Sequence, residues 1–338
     1  MDDISLIVQN ASPNHLLATS GADYANGFLR AFCAVYEPGS QRRVLQHKFF
    51  LPDETNYSEH AFIRSAAELS VANHVRQKTS KSFAVDKNVN RANNTDVDVF
   101  CCIGATTIAI EVKSPLEPAT AVPDGSSEMV VKLMTSGRIP DFESQVDNLA
   151  REFKSGGITA VAGKNKDATH KGFLTGANTK FSPTSGADDL NILFIAGGSW
   201  GEMSDWYRHL YAQAGLFTAM PFHPSSTFEL VDIVILSNLR YWHEHVRSAH
   251  DWTLNDVFLL PRINPHGRTS RTYDAIGVGL GLFDHHLYRF NAFTDVAAEP
   301  DVPSDILDAV KLNHYVNRSL TPEEKQRYFP VDLHPLSR

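Results

Sequence analysis

Acidic and basic side chains converge in one short stretch, DVDVFCCIGATTIAIEVK, residues 96–113. Read with the two-residue period of a strand, Asp96, Asp98, Phe100 and Cys102 fall on one face of its first half. In the second half Thr107, Ala109, Glu111 and Lys113 share a face, while Ile108, Ile110 and Val112 take the other. Gly104-Ala105 suits a two-residue type II′ turn, because glycine accepts the positive φ required at its first central position. That turn pairs Ile103 with Thr106 and, counting back, Phe100 with Ala109, Asp98 with Glu111 and Asp96 with Lys113. One hairpin then gathers three acids and a lysine on one patch of sheet.

Like charges facing each other across a sheet repel. Two carboxylates so held need a proton, a lysine or a metal ion between them. Mg²⁺ suits the pair, since it binds through one or two carboxylates and keeps several waters. Such an ion polarises a phosphoryl oxygen and lowers the pKa of a bound water. Lys113 would stabilise charge developing on the phosphate or orient the attacking water. The chemistry implied is phosphodiester hydrolysis. The plainer alternative is a solvated hairpin face with a cross-strand ion pair.

Several elements must carry this hairpin. Residues 58–78 read as a helix with Ser58 as N-cap and Phe62, Ala66, Leu69 and Asn73 on one side. SFAVDKNV is a third strand candidate before the hairpin. After it come a helix over 140–153, a buried strand over 190–196, the helix SDWYRHLYAQA, the strand ELVDIVIL and the helix LRYWHEHVRSA. The order predicts an α/β or α+β fold with a mixed central β-sheet flanked by helices. In the first 57 residues AFCAVYEP and RVLQHKFFLP flank the turn-like PGSQ, which predicts a β-hairpin. Thr321-Pro322-Glu323-Glu324 is the start signal of a structural helix.

Residues 154–189 are rich in Gly, Lys, Thr, Ser and Asn and read as a long flexible loop. Between Arg151 and Gly186 its neighbourhood holds Arg151, Lys154, Lys164, Lys166, Lys171 and Lys180 against Glu152 and Asp167. Spaced lysines on flexible backbone suit contact with nucleic-acid phosphates. Arg268 and Arg271 make a second polar, basic loop with the same expectation.

The formal net charge of −8 runs against the usual balance of a nucleic-acid enzyme, although binding depends on local patches. Cys33, Cys101 and Cys102 form neither a disulfide framework nor a thiolate zinc motif, so reduced thiols in a cytoplasmic protein are expected. No apolar run approaches the ~18 residues of a membrane span. The acidic N-terminus does not read as a leader. His243 with His245, and His285 with His286, lack the spacing of a zinc site. Gly277-Val-Gly-Leu-Gly281 does not follow a strand as a nucleotide loop would, and the four tryptophans read as core or interface aromatics.

Asp98, followed by VFCCIGATTIAI and Glu111-Val112-Lys113-Ser114-Pro115, resembles the PD-(D/E)XK, restriction-endonuclease-like nuclease superfamily. The resemblance covers residues 58–196 and implies a restriction-endonuclease-like core. It implies Asp98 and Glu111 as metal ligands, the Val112 carbonyl as a third, and Lys113 as the catalytic lysine. It also implies an acid in the preceding helix, matched by Glu68, and a glutamine in the following helix, matched by Gln145. Asn94-Thr95-Asp96-Val97 stands where a proline often precedes the aspartate, so Asp96 rivals Asp98, which directly precedes the apolar run.

The domains expected are an N-terminal hairpin over 1–57, a nuclease core over 58–200 and an α/β extension over 201–338, continuous with the core or a recognition module. The function expected is Mg²⁺-dependent DNA endonuclease, with Mn²⁺ as a substitute, in restriction or phage defence. The alternatives are a repair or junction-resolving nuclease and a non-catalytic nucleic-acid-binding or interaction module of the same fold. Cutting both strands needs two sites, so a homodimer is a natural assembly, although no residue specifies one. No membrane partner is expected.

Overall fold

Tyr24, Gly27, Phe28, Ala31, Phe32 and Val35 are buried and spaced three or four apart, the period of one helix face. In the computed structural model they line α3 (Ala22–Val35), which follows α1 (Asp3–Gln9) and α2 (Leu16–Thr19). Next comes α4 (Pro38–Phe49), with Pro38 in its first turn, where a missing N–H does no harm. The expected N-terminal β-hairpin is therefore corrected to helices. The apolar runs looked strand-like because they were read from residue 31, without the Tyr24 and Phe28 turns of the same stripe.

The structure describes residues 3–52, 55–79, 82–115, 129–133, 148, 151–152, 158–162, 166–183, 186–212, 214–247, 250–293 and 304–330. It divides into two units, residues 1–115 with 177–338, and residues 116–176.

In the larger unit α5 (Glu59–Lys78) starts at Ser58, whose side chain accepts from the Ala61 N–H, and buries Phe62, Ala66, Leu69 and Asn73 as expected. It packs on α3, α4 and the strands β2 (Val97–Ile103) and β3 (Thr106–Lys113). Strand β1 (Phe83–Lys87) pairs antiparallel with β2. The β2–β3 hairpin pairs Phe100 with Ala109 and Ile103 with Thr106, and Gly104 has φ +60 as a type II′ turn requires.

Beyond it, β6 (Asp189–Ala196) lies parallel to β3, β7 (Ile233–Ser237) parallel to β6, and β8 (Leu259–Ile263) antiparallel to β7. The result is a six-stranded mixed sheet in the order β1-β2-β3-β6-β7-β8, in an α+β fold. Strands β7 and β8 belong to the expected 201–338 extension, so that region completes the core sheet. Helix α7 (Trp200–Tyr211) and α8 (Leu239–His245) follow β6 and β7. Helix α9 (Tyr273–Gly281) packs on β6 and β3, where Gly279 lies so close to Leu190 that a Cβ would meet its Cδ2 at 2.0 Å. The glycine-rich run is thus a helix. After α10 (Leu287–Ala292), α11 (Ser304–Ser319) packs on α7. Helix α12 (Pro322–Tyr328) carries the full capping box of Thr321 and Glu324.

The smaller unit, described by itself, contains the parallel pair β4 (Met129–Leu133) and β5 (Ile158–Ala162). Helix α6 (Lys166–Lys180) begins in it and ends in the larger unit. The expected flexible loop over 154–189 is therefore corrected: β5 and α6 lie within it. Buried His170, Leu174, Ala177 and Phe181 mark the helical stripe. Gly172 and Gly176, each worth about 1 kcal/mol against a helix, had masked it. The expected helix over 140–153 falls mostly outside the described residues. Among the described residues no helix is long and apolar enough to cross a membrane.

Candidate active site

Strand alternation separates two environments on the β2–β3 hairpin. Val97, Val99, Cys101, Ile108, Ile110 and Val112 are buried as one apolar face. The other face carries Asp98, Phe100, Ala109, Glu111 and Lys113. The β2–β3 ladder ends at Val99 opposite Ile110, one step short of the acids. There Asp98 turns a carboxylate oxygen to the backbone of β3, and the Val112 N–H donates to its Oδ2 at 2.7 Å. Asp96 lies outside β2 and is exposed, so of the two rivals Asp98 is the one at Glu111.

Glu111 is fully buried, and two lysines donate to a single oxygen of it. Lys113 Nζ lies 2.5 Å from its Oε1 and Lys180 Nζ lies 2.7 Å from the same atom. Its Oε2 is buried with no hydrogen-bond partner among the described residues. Glu68 of α5 accepts from Lys48 Nζ at 3.1 Å, and Lys48 also reaches Asp86 Oδ1 at 2.7 Å. Of the expected site residues, the structure links Asp98 to Val112 through the Val112 N–H, where the expectation was its carbonyl, joins Lys113 to Glu111, and brings Glu68 within reach of the Asp98 charge.

The electrostatics follow from crowding acids in a poorly solvated place. Burial, then the Glu111 charge, push the Asp98 carboxyl up to about 6, against the pull of the Val112 N–H, Lys180 and Lys48. Burial and Asp98 likewise raise the Glu68 carboxyl, with Lys48 opposing. Burial works against the charge of Lys48, but Glu68, Tyr36 and Asp86 outweigh it and hold that ammonium above its ordinary value. Lys180 is raised too: burial opposes its charge, and the Glu111 carboxylate beside it prevails.

Sequence reasoning missed Lys48, Asp86 and Tyr36, and misassigned Lys180. Lys48 was invisible because its helix was read as a strand. Lys180, expected to touch phosphate, instead bonds Glu111; the stripe ending at Phe181 was the signal that could have found it. Of the other expected basic contacts, Lys154 and Lys164 lie outside the described residues, as does Gln145. Lys166 begins α6, and Lys171 lies half-buried within it. Arg268 and Arg271 point inward, with Arg268 Nη2 at 2.9 Å and Arg271 Nε at 3.0 Å from Asp232 Oδ2. They close an internal ion-pair cluster.

Whether these residues suit a divalent cation can be judged from their donors. Among the described residues no three His, Cys, Asp or Glu side chains form a ready metal cage. Two carboxylates with waters are nevertheless the donor set that Mg²⁺ uses, and Glu111 Oε2 is an acceptor oxygen left without a donor. The set of Asp98 and Glu111 therefore fits. The histidines do not make a rival site: His243 is buried, with Nδ1 2.8 Å from Tyr24 Oη and Nε2 3.1 Å from Ser70 Oγ. Burial holds its pKa well below the ordinary value.

In comparisons with known proteins, no protein-family model, no curated protein and no solved structure matches the chain.

Proposed function

We propose that this protein is a Mg²⁺-dependent DNA endonuclease of the PD-(D/E)XK kind, with Mn²⁺ as a possible substitute. One observation carries the reading. Asp98 and Glu111 stand on neighbouring strands close enough for their charges to act on each other, Lys113 bonds one Glu111 oxygen, and the other has no partner among the described residues. An acid cluster of this sort has little structural use, because each carboxylate raises the free energy of the next.

In this reading Asp98 and Glu111 hold the cation. When bound, it supplies Lewis acidity toward a phosphoryl oxygen and a more acidic water. Lys113 places a positive charge where negative charge grows on the phosphate. Glu68, tethered by Lys48, closes the acidic side of the site. The Val112 N–H fixes the Asp98 carboxylate, so that acid is oriented before substrate arrives. The biological roles we propose are restriction or phage defence first, and repair or junction resolution second.

The test is incubation of the purified chain with supercoiled plasmid and with phage DNA, in Mg²⁺ and in EDTA. Nicking or linearisation in Mg²⁺ alone is expected. Lys113→Ala is expected to bind DNA with near-normal affinity and cut at least tenfold more slowly. Absence of metal-dependent cleavage on both DNAs would sink the reading. A non-catalytic nucleic-acid-binding module of the same fold is the second reading. It is favoured by the two ammonium groups that already neutralise Glu111, and binding without cleavage in this assay would select it.

A further inference from the structure

Two residues along the same strands from the acids, the sheet face opens into a cavity of about 300 Å³. Such a volume stands at the small end of ligand sites, about 300–1,000 Å³. Phe100 and Ala109, cross-strand partners in β2 and β3, form its floor with Thr107. Alternation puts Phe100 on the face of Asp98, and Ala109 and Thr107 on the face of Glu111. The cavity and the acids therefore share one surface of the hairpin.

Its rim carries Lys87 and Arg91. Lys87 Nζ stands 3.3 Å from the centre of the Phe100 ring. That cation–π contact holds an ammonium in place. Among the described residues no ion pair ties Lys87 or Arg91 to a carboxylate. Asp189 is the acid of the lining, and its Oδ2 accepts the Gly186 N–H at 2.5 Å. Two cations against one engaged acid leave the cavity positive in a chain whose formal charge is −8.

Arg91 sits on a braced loop. Asn88 Nδ2 donates to the carbonyls of Asn93 and Thr95 at 3.0 and 3.1 Å. Asn90 Nδ2 donates to the carbonyls of Thr179 and Phe181 at 3.0 and 3.1 Å. Those carbonyls flank Lys180, which itself bonds Glu111. One support thus holds the cationic rim and the end of α6 that reaches the acids. A site fixed before binding loses less freedom when it is filled.

We propose that this cavity is a second phosphate subsite, which seats a phosphodiester next to the one at Asp98, Glu111 and Lys113. The proposal rests on the nuclease reading and gives its substrate a path: a nucleic-acid strand runs along β2 and β3 from the acids toward the Gly104 turn. Two strand residues advance about 6.6 Å, the scale of one or two nucleotides at ~3.4 Å of rise each. Lys87 and Arg91 take the phosphate, and the Phe100 edge lies against sugar or base.

Fluorescence anisotropy with a labelled single-stranded oligonucleotide, in EDTA and over a range of salt, tests this. The double variant Lys87→Ala/Arg91→Ala is expected to bind about tenfold more weakly. Its salt slope should flatten by ~0.7, one phosphate contact on a single strand. Arg91→Ala alone, at an exposed loop position, should move both readings the same way if the double variant folds poorly. Unchanged affinity and slope in the variants, with plasmid cleavage intact, would overturn the subsite and leave the nuclease reading standing. No binding of DNA or RNA by the wild-type chain would overturn both. AMP bound as tightly as the oligonucleotide would make the cavity a free-nucleotide site and overturn the strand path.

Discussion

Two poorly solvated carboxylates in the larger unit, half-buried Asp98 and buried Asp232, share one electrostatic direction and have opposite company. Burial pushes each carboxyl up to about 6. At Asp98 the next influence is another acid, Glu111, which raises it further. At Asp232 the next influence is Arg271, which lowers it, helped by the Asn191 N–H at 2.8 Å from Oδ2. Asp232 sits beneath two guanidinium groups whose planar forks fix geometry. Glu111 is met by lysines, which are single-point charges on flexible stems. Among the described residues, the unpaired buried atoms around Asp232 are of both signs, its own Oδ1 and nitrogens of Arg268 and Arg271, whereas Glu111 leaves an acceptor. Buried charge by itself therefore does not mark chemistry. One acid under two arginines joins the start of β7 to the loop after β8. Several acids sharing lysines leave an acceptor oxygen open, the feature on which the proposed cation site rests.

The contrast breaks most sharply on activity. Asp98→Ala and Glu111→Ala are each expected to lower metal-dependent cleavage at least a thousandfold with the circular dichroism spectrum kept. Asp232→Ala should leave the rate per folded molecule within a few-fold. Comparable losses in all three, measured on plasmid nicking, would erase the distinction.

Stability should show the reverse order. Asp232→Ala strands two nearly buried guanidinium groups and the Asn191 N–H, and breaking a buried pair costs about 3–5 kcal/mol. Glu111→Ala frees lysines that still reach solvent, so its denaturant midpoint should move much less. A midpoint for Asp232→Ala equal to that of wild type would show the arginine cluster to be idle.

The smallest effect sharpens the acid pair itself. The Asp98 carboxyl, raised from 3.8 to about 6, holds a proton more firmly in the folded chain than in the unfolded one. The stability linked to it is complete below about pH 4 and is lost as pH rises through about 6. Asp98→Asn imitates the protonated form. It should melt a few degrees above wild type at pH 7–8 and level with it below pH 4 in scanning calorimetry without metal. A gap of the opposite sign at neutral pH would mean that the lysines already balance the acids.

Much of the sheet was legible because alternation over 83–113 has one physical solution: a one-residue slip would turn Asp98 and Glu111 into the apolar face. Gly104 fixed that register by its positive φ. The lysines were harder to read, since no local pattern tells a solvated lysine from one folded back onto an acid. Lys48 required α4 to be recognised, and its stretch is rich in residues that strands also accept. Lys180 closes a helix weakened by two glycines. Arg268 and Arg271 looked like a basic loop because their partner, Asp232, stands far away in sequence.

The insertion of residues 116–176 between β3 and β6 has a consequence for the order of assembly. Every β3–β6 pair, from Thr107 with Asp189 to Lys113 with Ile195, closes the same long loop. The entropy of closure grows only slowly with length, by about 0.6 kcal/mol per doubling, so the penalty falls mainly on timing. On a ribosome Asp98 and Glu111 emerge together and can pair through their hairpin at once. Strand β6 and Lys180 follow only after the whole insertion has been made. During that interval β3 is an open sheet edge, its N–H and C=O groups toward β6 unpaired, which is the form in which nascent chains stick to one another.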